Sequence, residues 1–325
     1  MTQHRTIMTE QMYVYKLLDW MDKDKLYWSG LSLNPNAIQL LEENPEKIDW
    51  LKLSLNPNAT QLLEQNPEKI NWYWLSTNRN GTKLLEKCLD KINWWCLQRN
   101  LNAIYLLEKY PENVNWDVLS SNPNAIKLLE RYPENINWGM LSGNPNAIHL
   151  LENNPEKIKW YWLSTNLNAI HILEKNQEKI DWGMLSSNPN ATELLMKNWK
   201  KINWWCLSKN PNAIHILEKF PEKINWSQLS ENRNAFCLLE KNPEKIDWDC
   251  LCSNLNPQAI YLLEKNQEKI NWYFLSMNPS IFTKVINYEF LKERINIIKE
   301  ELIMRCMHPS RLERWIEMGG DIDDF

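Results

Sequence analysis

The chain has 325 residues but only 7 glycines, and it has no basic excess: 37 Lys and Arg stand against 41 Asp and Glu. Nucleic-acid binders ordinarily carry such an excess or a basic stripe, so that partner class is disfavoured. No apolar run approaches the ~18 residues of a membrane span, and the opening MTQHRTIMTEQMYVYKLLDW lacks the apolar core of a signal peptide. The seven cysteines are odd in number and irregularly spaced, which argues against a disulfide framework. A soluble, cytoplasmic chain is expected. There is no Gly-rich phosphate loop and no nucleophile motif, so neither an enzyme nor a cofactor is expected.

What the chain does have is tryptophan, 19 in all, and eleven of them from Trp28 to Trp248 fall every 22 residues, with Trp272 following after 24. A strict period of this length marks an array whose units pack only on their neighbours. With each Trp counted as position zero, position +3 is always Leu and position +6 is always Asn, from Asn34 to Asn278. Position +7 is Pro in seven of the twelve units. Asn followed by Pro is a helix-start signal, so Asn56-Pro57 is expected to open a helix running to about Gln65. In ten of the eleven units from Asp49 to Asn271 the residue before the Trp is Asp or Asn, an N-cap for a second, shorter helix beginning at the Trp. The intervening NPEKI is either a turn or the first turn of that short helix. The expected fold is an all-α solenoid of about eleven units with two short helices each. At ~8–10 Å per packed helix it would extend on the order of 100 Å.

Residues 1–27 are expected to form a helical cap, 28–280 the repeat solenoid, and 281–325 a C-terminal helical cap and acidic tail, with one longer helix over 283–306 and a break at Pro309. Three departures from register stand out: two extra residues in CSNLNPQA (252–259), Gly81-Thr82 in place of Ala-Ile, and MKNWKKI (196–202) where other units read EKNPEKI.

The phrase LSxNPNAIxLLExNPEKIxW, over roughly residues 28–280, resembles the short Trp- and Asn-rich repeats of proteins encoded by giant DNA viruses of amoebae and algae. The ending HPSRLERWIEMGGDIDDF resembles tails on such proteins. The resemblance implies an infected cell's cytoplasm or a virion as the setting and transfers no catalytic residues.

Two rows vary while their neighbours stay fixed. Positions +1 and +2 carry Tyr73, Trp74, Trp95, Tyr161, Trp162, Trp205, Tyr273 and Phe274, with Cys96, Cys206 and Cys250 interspersed. Either tight stacking buries this row, or it forms an open apolar groove with the aromatic anchors typical of interfaces. Position +11 includes His149, His171 and His215; surface histidines are expected there, and no metal. Cys250 and Cys252 lack the second pair that a zinc site needs. The function expected is a non-enzymatic scaffold or adaptor with a protein partner. Single-stranded nucleic-acid binding through one aromatic per repeat, and self-association as a virion component, are the alternatives.

Overall fold

A computed structural model describes residues 12–306 and 308–319. The chain divides into two compact units, residues 18–281 and residues 1–17 with 282–325.

The larger unit holds the array. Each repeat is a short helix beginning at the register Trp (Trp72–Thr77), a second helix (Thr82–Lys87) and a 3-10 turn (Leu89–Lys91). The residue before the Trp is the cap that the sequence indicates: Asp49 Oδ1 accepts from the Lys52 amide at 3.1 Å, and Asn71 Oδ1 accepts from that of Trp74 at 3.1 Å. The NPEKI segment is a separate 3-10 turn in every unit, which settles the ambiguity left by the sequence. The Leu at +3 is fully buried throughout and forms the core with Ala +9 and the Leu or Ile pair at +12 and +13.

The Asn at +6 does more than Asn-Pro suggests: its Oδ1 accepts from the amide two residues on, and at Asn122 and Asn188 it caps a 3-10 turn that runs into the second helix. The following helix opens at +10 in most units, as at Thr60 and Ile148, and not at the Asn. Each of these Asn side chains is buried and reaches the preceding unit. Asn144 Nδ2 donates to the carbonyls of Ser120 and Asn122 at 3.1 and 3.0 Å, while its Oδ1 accepts from the Asn146 amide. Asn146 Nδ2 in turn donates to the Pro123 carbonyl at 3.0 Å. The Ser at +4 adds a third link: Ser142 Oγ donates to the Trp138 carbonyl and accepts from the Lys159 amide of the next unit. Helices of four to six residues are too short to stand alone, and these ladders with the Leu core are what fix them. Gln98 replaces the Ser in the Trp94 unit; its Nε2 donates to the carbonyls of Trp94 and Asn113, but its buried Oε1 finds no protein partner.

The register Trp side chains are half-buried rather than core. Each is covered from the 3-10 turn that follows it. In nine units a Lys ammonium lies over the indole, as Lys69 over Trp50 at 4.5 Å. In the other three an aromatic at +16 does so: Tyr110 on Trp94, Tyr132 on Trp116 and Phe220 on Trp204, at 5.1–5.5 Å. Two of these units read PEN, with Asn where every other turn ends in Lys, so there the aromatic stands in for the missing Lys.

The array is closed, not an open rod with capped ends. The first Trp helix, Trp28–Leu33, packs on the last, Trp272–Met277. The ladder continues unbroken across the closure. Asn34 Nδ2 donates to the carbonyls of Ser276 and Asn278 at 3.1 and 3.0 Å, and the Tyr27 amide donates to Ser276 Oγ at 2.9 Å. Lys25 Nζ lies 5.5 Å above Trp272. Residues 18–26, expected to belong to a helical cap, instead supply the second half of the twelfth unit: a 3-10 turn at Lys23–Lys25 with buried Met21 and Leu26. The Trp helices pack closely on one another, whereas successive second helices approach less closely. In a closed ring the row with the tighter spacing has the smaller radius, so the Trp helices form the inner wall. Twelve helices at ~8–10 Å give a circumference of roughly 100–120 Å, the length expected above for the open array.

The two-residue insertion does not bulge a turn. Asn254 keeps the ladder bonds, and Asn256-Pro257 opens a longer helix, Pro257–Glu264, with Asn256 Oδ1 accepting from the Gln258 amide. Only here does Asn-Pro open an α-helix directly.

In the smaller unit β1 (Tyr13–Leu17) pairs antiparallel with β2 (Phe282–Ile286), Leu17 opposite Phe282. The expected single helix over 283–306 is therefore two elements. The alternating FTKVI favours a strand, and Asn287 then caps a helix over Tyr288–Cys306, its Oδ1 accepting from the Phe290 amide. A helix over Pro309–Glu317 follows, as the Pro309 break indicates. Gly319 takes φ +89°, a conformation that suits glycine. The acidic tail lies outside the described residues. Among the described residues no helix is long and apolar enough to cross a membrane.

Candidate partner-binding surface

On a helix at ~100° per residue, +3 and +4 point to the core, so +1, +2 and +5 point away from it. With the Trp helices innermost, these positions line the inner wall of the ring. Their side chains are open. Trp205 is 57% exposed, Trp95 and Tyr161 46%, and Tyr73, Trp162 and Tyr273 42–43%. Trp74 and Phe274 are half-buried, and each packs edge-on against the Tyr beside it, at 4.8 Å from Tyr73 and 5.5 Å from Tyr273. Of the two readings of this row, burial holds at Gly30 and Cys96, Trp74 and Phe274 lie between, and the other large aromatics stay open.

The aromatics fall in sectors. Tyr73, Trp74 and Trp95 occupy adjacent units, with the Arg99 guanidinium 4.8 Å over Trp95. The Tyr73 hydroxyl meets the Cys96 thiol, and that hydrogen bond raises its pKa. Tyr161 and Trp162 pair at 5.2 Å between units that carry Gly-Met at the same positions, and Trp205 stands farther along. The closure creates the third group: Tyr27 meets Tyr273 edge-on at 5.6 Å. Sequence reasoning missed Tyr27, although DKLYW (24–28) echoes the EKIDW that precedes other register Trp residues. Between these sectors the wall carries smaller and mixed side chains, among them Met140, Met184 and Ser227. Ser227 Oγ donates to Asp247 Oδ2 at 2.7 Å and lies 3.3 Å from Cys250 Sγ. Burial disfavours the Asp247 carboxylate, but its bonds from Ser227 and the Cys250 amide outweigh this and hold its pKa below the ordinary value. Across all +1, +2 and +5 positions three cations (Lys52, Arg99, Lys209) meet three anions (Asp117, Glu231, Asp249), so the wall carries no net charge.

The outward row offers no metal centre. His149 and His171 each pair with a Glu of the preceding unit, Glu130 at 2.8 Å and Glu152 at 2.9 Å. No group of three His, Cys, Asp or Glu among the described residues is placed to hold a metal ion. Cys252 is buried, which pushes its thiol up to about 11 and makes it a poor nucleophile. An open cleft of about 650 Å³ lies at the closure, lined by Lys25, Tyr27, Glu268, Trp272 and Tyr273 among others. Comparison with known protein families, curated proteins and solved structures returns no match.

Proposed function

We propose that the protein is a non-enzymatic scaffold that engages a protein partner on the inner wall of the ring. The observation that carries this is the contrast within each unit: fixed Leu, Asn and Ser positions build the frame, while +1 and +2 vary freely and hold large aromatics open to solvent. Exposed Trp and Tyr on a rigid backbone lose little entropy on contact and are enriched at binding hot spots. The neutral wall favours a protein over a polyanion. The Trp- and Asn-rich repeat phrase supports a viral adaptor acting in the cytoplasm of an infected cell. The test is affinity purification from expressing cells with wild type and with Trp95→Ser/Trp205→Ser. A partner recovered by wild type and lost by a variant of unchanged thermal stability supports the reading; a partner held equally by both sinks it. Binding of a labelled DNA single strand at low salt would favour the nucleic-acid alternative.

Self-association is a second reading. Helix Tyr288–Cys306 leaves Tyr288, Ile295, Ile298 and Leu302 exposed, at the alternating spacing of a coiled-coil seam. Light scattering across a dilution series tests it, since a mass fixed at one chain excludes it.

A further inference from the structure

One unit breaks the pattern on its rim. Position +18, in the 3-10 turn, is Asp or Glu in eleven of the twelve turns, from Asp24 to Glu268, and Lys200 is the exception. Position +14 is Glu in every other unit through Glu240 and is Met196 here. Position +17, most often Pro, is Trp199. The segment MKNWKK thus loses both of its acids, keeps Lys197 and Lys201, and gains Lys200. Lys201 lies over its register Trp182 at 4.5 Å like its counterparts, and Lys197 matches the Lys or Arg at +15 of several other units, so Lys200 is the added cation; Lys197 and Lys200 are both exposed.

The fold does not ask for these changes. Pro at the first position of such a turn presets its φ, and its replacement gives up that benefit. Trp199 remains 43% exposed, stacked on Phe220 at 5.5 Å and 18° between planes, and Phe220 covers Trp204 at 5.2 Å. A three-ring column therefore ends at the surface beside Lys200, whose Nζ is 5.7 Å from the Trp199 ring. The neighbouring turns hold Glu178 with Lys179 and Glu222 with Lys223, each balanced in itself. Where His149 and His171 find Glu130 and Glu152, the place corresponding for His215 is taken by Met196.

We propose that the Met196–Lys200 rim is a docking site for an acidic protein segment that carries an aromatic side chain, the carboxylates meeting Lys197 and Lys200 and the ring packing on Trp199. Charge complementarity selects the occupant: position +18 is acidic in every other unit, whereas this turn sets Lys200 beside Lys201 with no acid between them. The site is separate from the inner wall and does not depend on it.

The test uses the full chain and a fluorescein-labelled peptide of Asp and Glu residues around a single Phe, titrated by anisotropy. The triple variant Met196→Glu/Trp199→Pro/Lys200→Glu restores the EKNPEKI of other units, so it is expected to fold at least as well. Lys200→Gln is a milder surface change that leaves the turn intact. Binding by wild type that weakens at least about tenfold in the triple variant, weakens less in Lys200→Gln and fades with added salt is the expected result. Equal binding by wild type and the triple variant, absence of binding at low salt, or binding of an oligothymidylate strand in preference to the peptide would each overturn the proposal.

Discussion

The Asn at +6 is the residue on which the ring depends most, because it bonds to a different unit at nearly every turn. Removing the side chain of Asn144 leaves the buried carbonyls of Ser120 and Asn122 and the Asn146 amide without that partner. Each unsatisfied buried group costs about 1–3 kcal/mol, so Asn144→Ala is expected to lower stability by about 2–4 kcal/mol in urea unfolding. A loss below ~0.5 kcal/mol would mean that the ladder follows packing and does not hold it. The importance of this Asn was legible in the sequence, since it never varies, but its role was not. Asn-Pro reads as a local cap, and the Oδ1 does accept from the amide two residues on, but the Nδ2 partners lie 22 and 24 residues away. By contrast the Asp or Asn before the Trp was read correctly in nine of its ten units, because its bond spans only three residues; Asn271 makes no such bond. The aromatic row was also visible as variation beside fixed positions. Tyr27 and its contact with Tyr273 were not, since they meet only through closure.

Each element of the repeat is too short to be stable alone, and the turns do more than connect. Every register Trp is roofed by its own 3-10 turn, with a Lys in nine units and an aromatic in three, and this exchange makes a specific coupling testable. In the Trp116 unit Tyr132 is the roof, and Asn135 occupies the place of the Lys. Tyr132→Asn is expected to cost about 1–2 kcal/mol through the lost ring contact and burial. Adding Asn135→Lys should recover about 0.5–1 kcal/mol of that by restoring the cation over the indole. In the wild-type background, where Tyr132 already fills the space, the same Asn135→Lys change should gain nothing. A thermal-denaturation double-mutant cycle showing equal effects of Asn135→Lys in both backgrounds would refute the exchange. The sequence left NPEKI open between turn and helix start because both need the same Pro and acidic residue; the roof over the Trp decides for the turn.

At the scale of the whole molecule the repeat unit could be read off and the ring could not. Closure of twelve units requires a rotation of about 30° per unit, and the curvature of a solenoid follows from such small per-unit rotations, which no single residue announces. Chain ends without the motif therefore read as helical caps, although Lys25-Leu26-Tyr27-Trp28 already follows the pattern of the turns. The seam is where the closed form can be challenged. Gly30 sits against the last Trp helix, and a Cβ there would lie 2.9 Å from Ser276 Cβ and 3.3 Å from Met277 Cγ. Ser276 is short and its hydroxyl is committed to the Tyr27 amide and the Trp272 carbonyl, so it has little freedom to yield. Gly30→Val is therefore expected to part the first and last Trp helices and leave the interior unit boundaries intact, since each of those is held by its own ladder. Hydrogen exchange reads this directly. The Tyr27 amide, bonded to Ser276 Oγ, should lose protection in the variant, while the equivalent Asn93 amide, bonded to Ser76 Oγ, should keep it. Small-angle scattering should show a larger radius of gyration as the ring opens. If both amides lose protection together, closure is a condition for folding of the whole array; if neither does, the seam tolerates the side chain and the close approach at Gly30 does not control it.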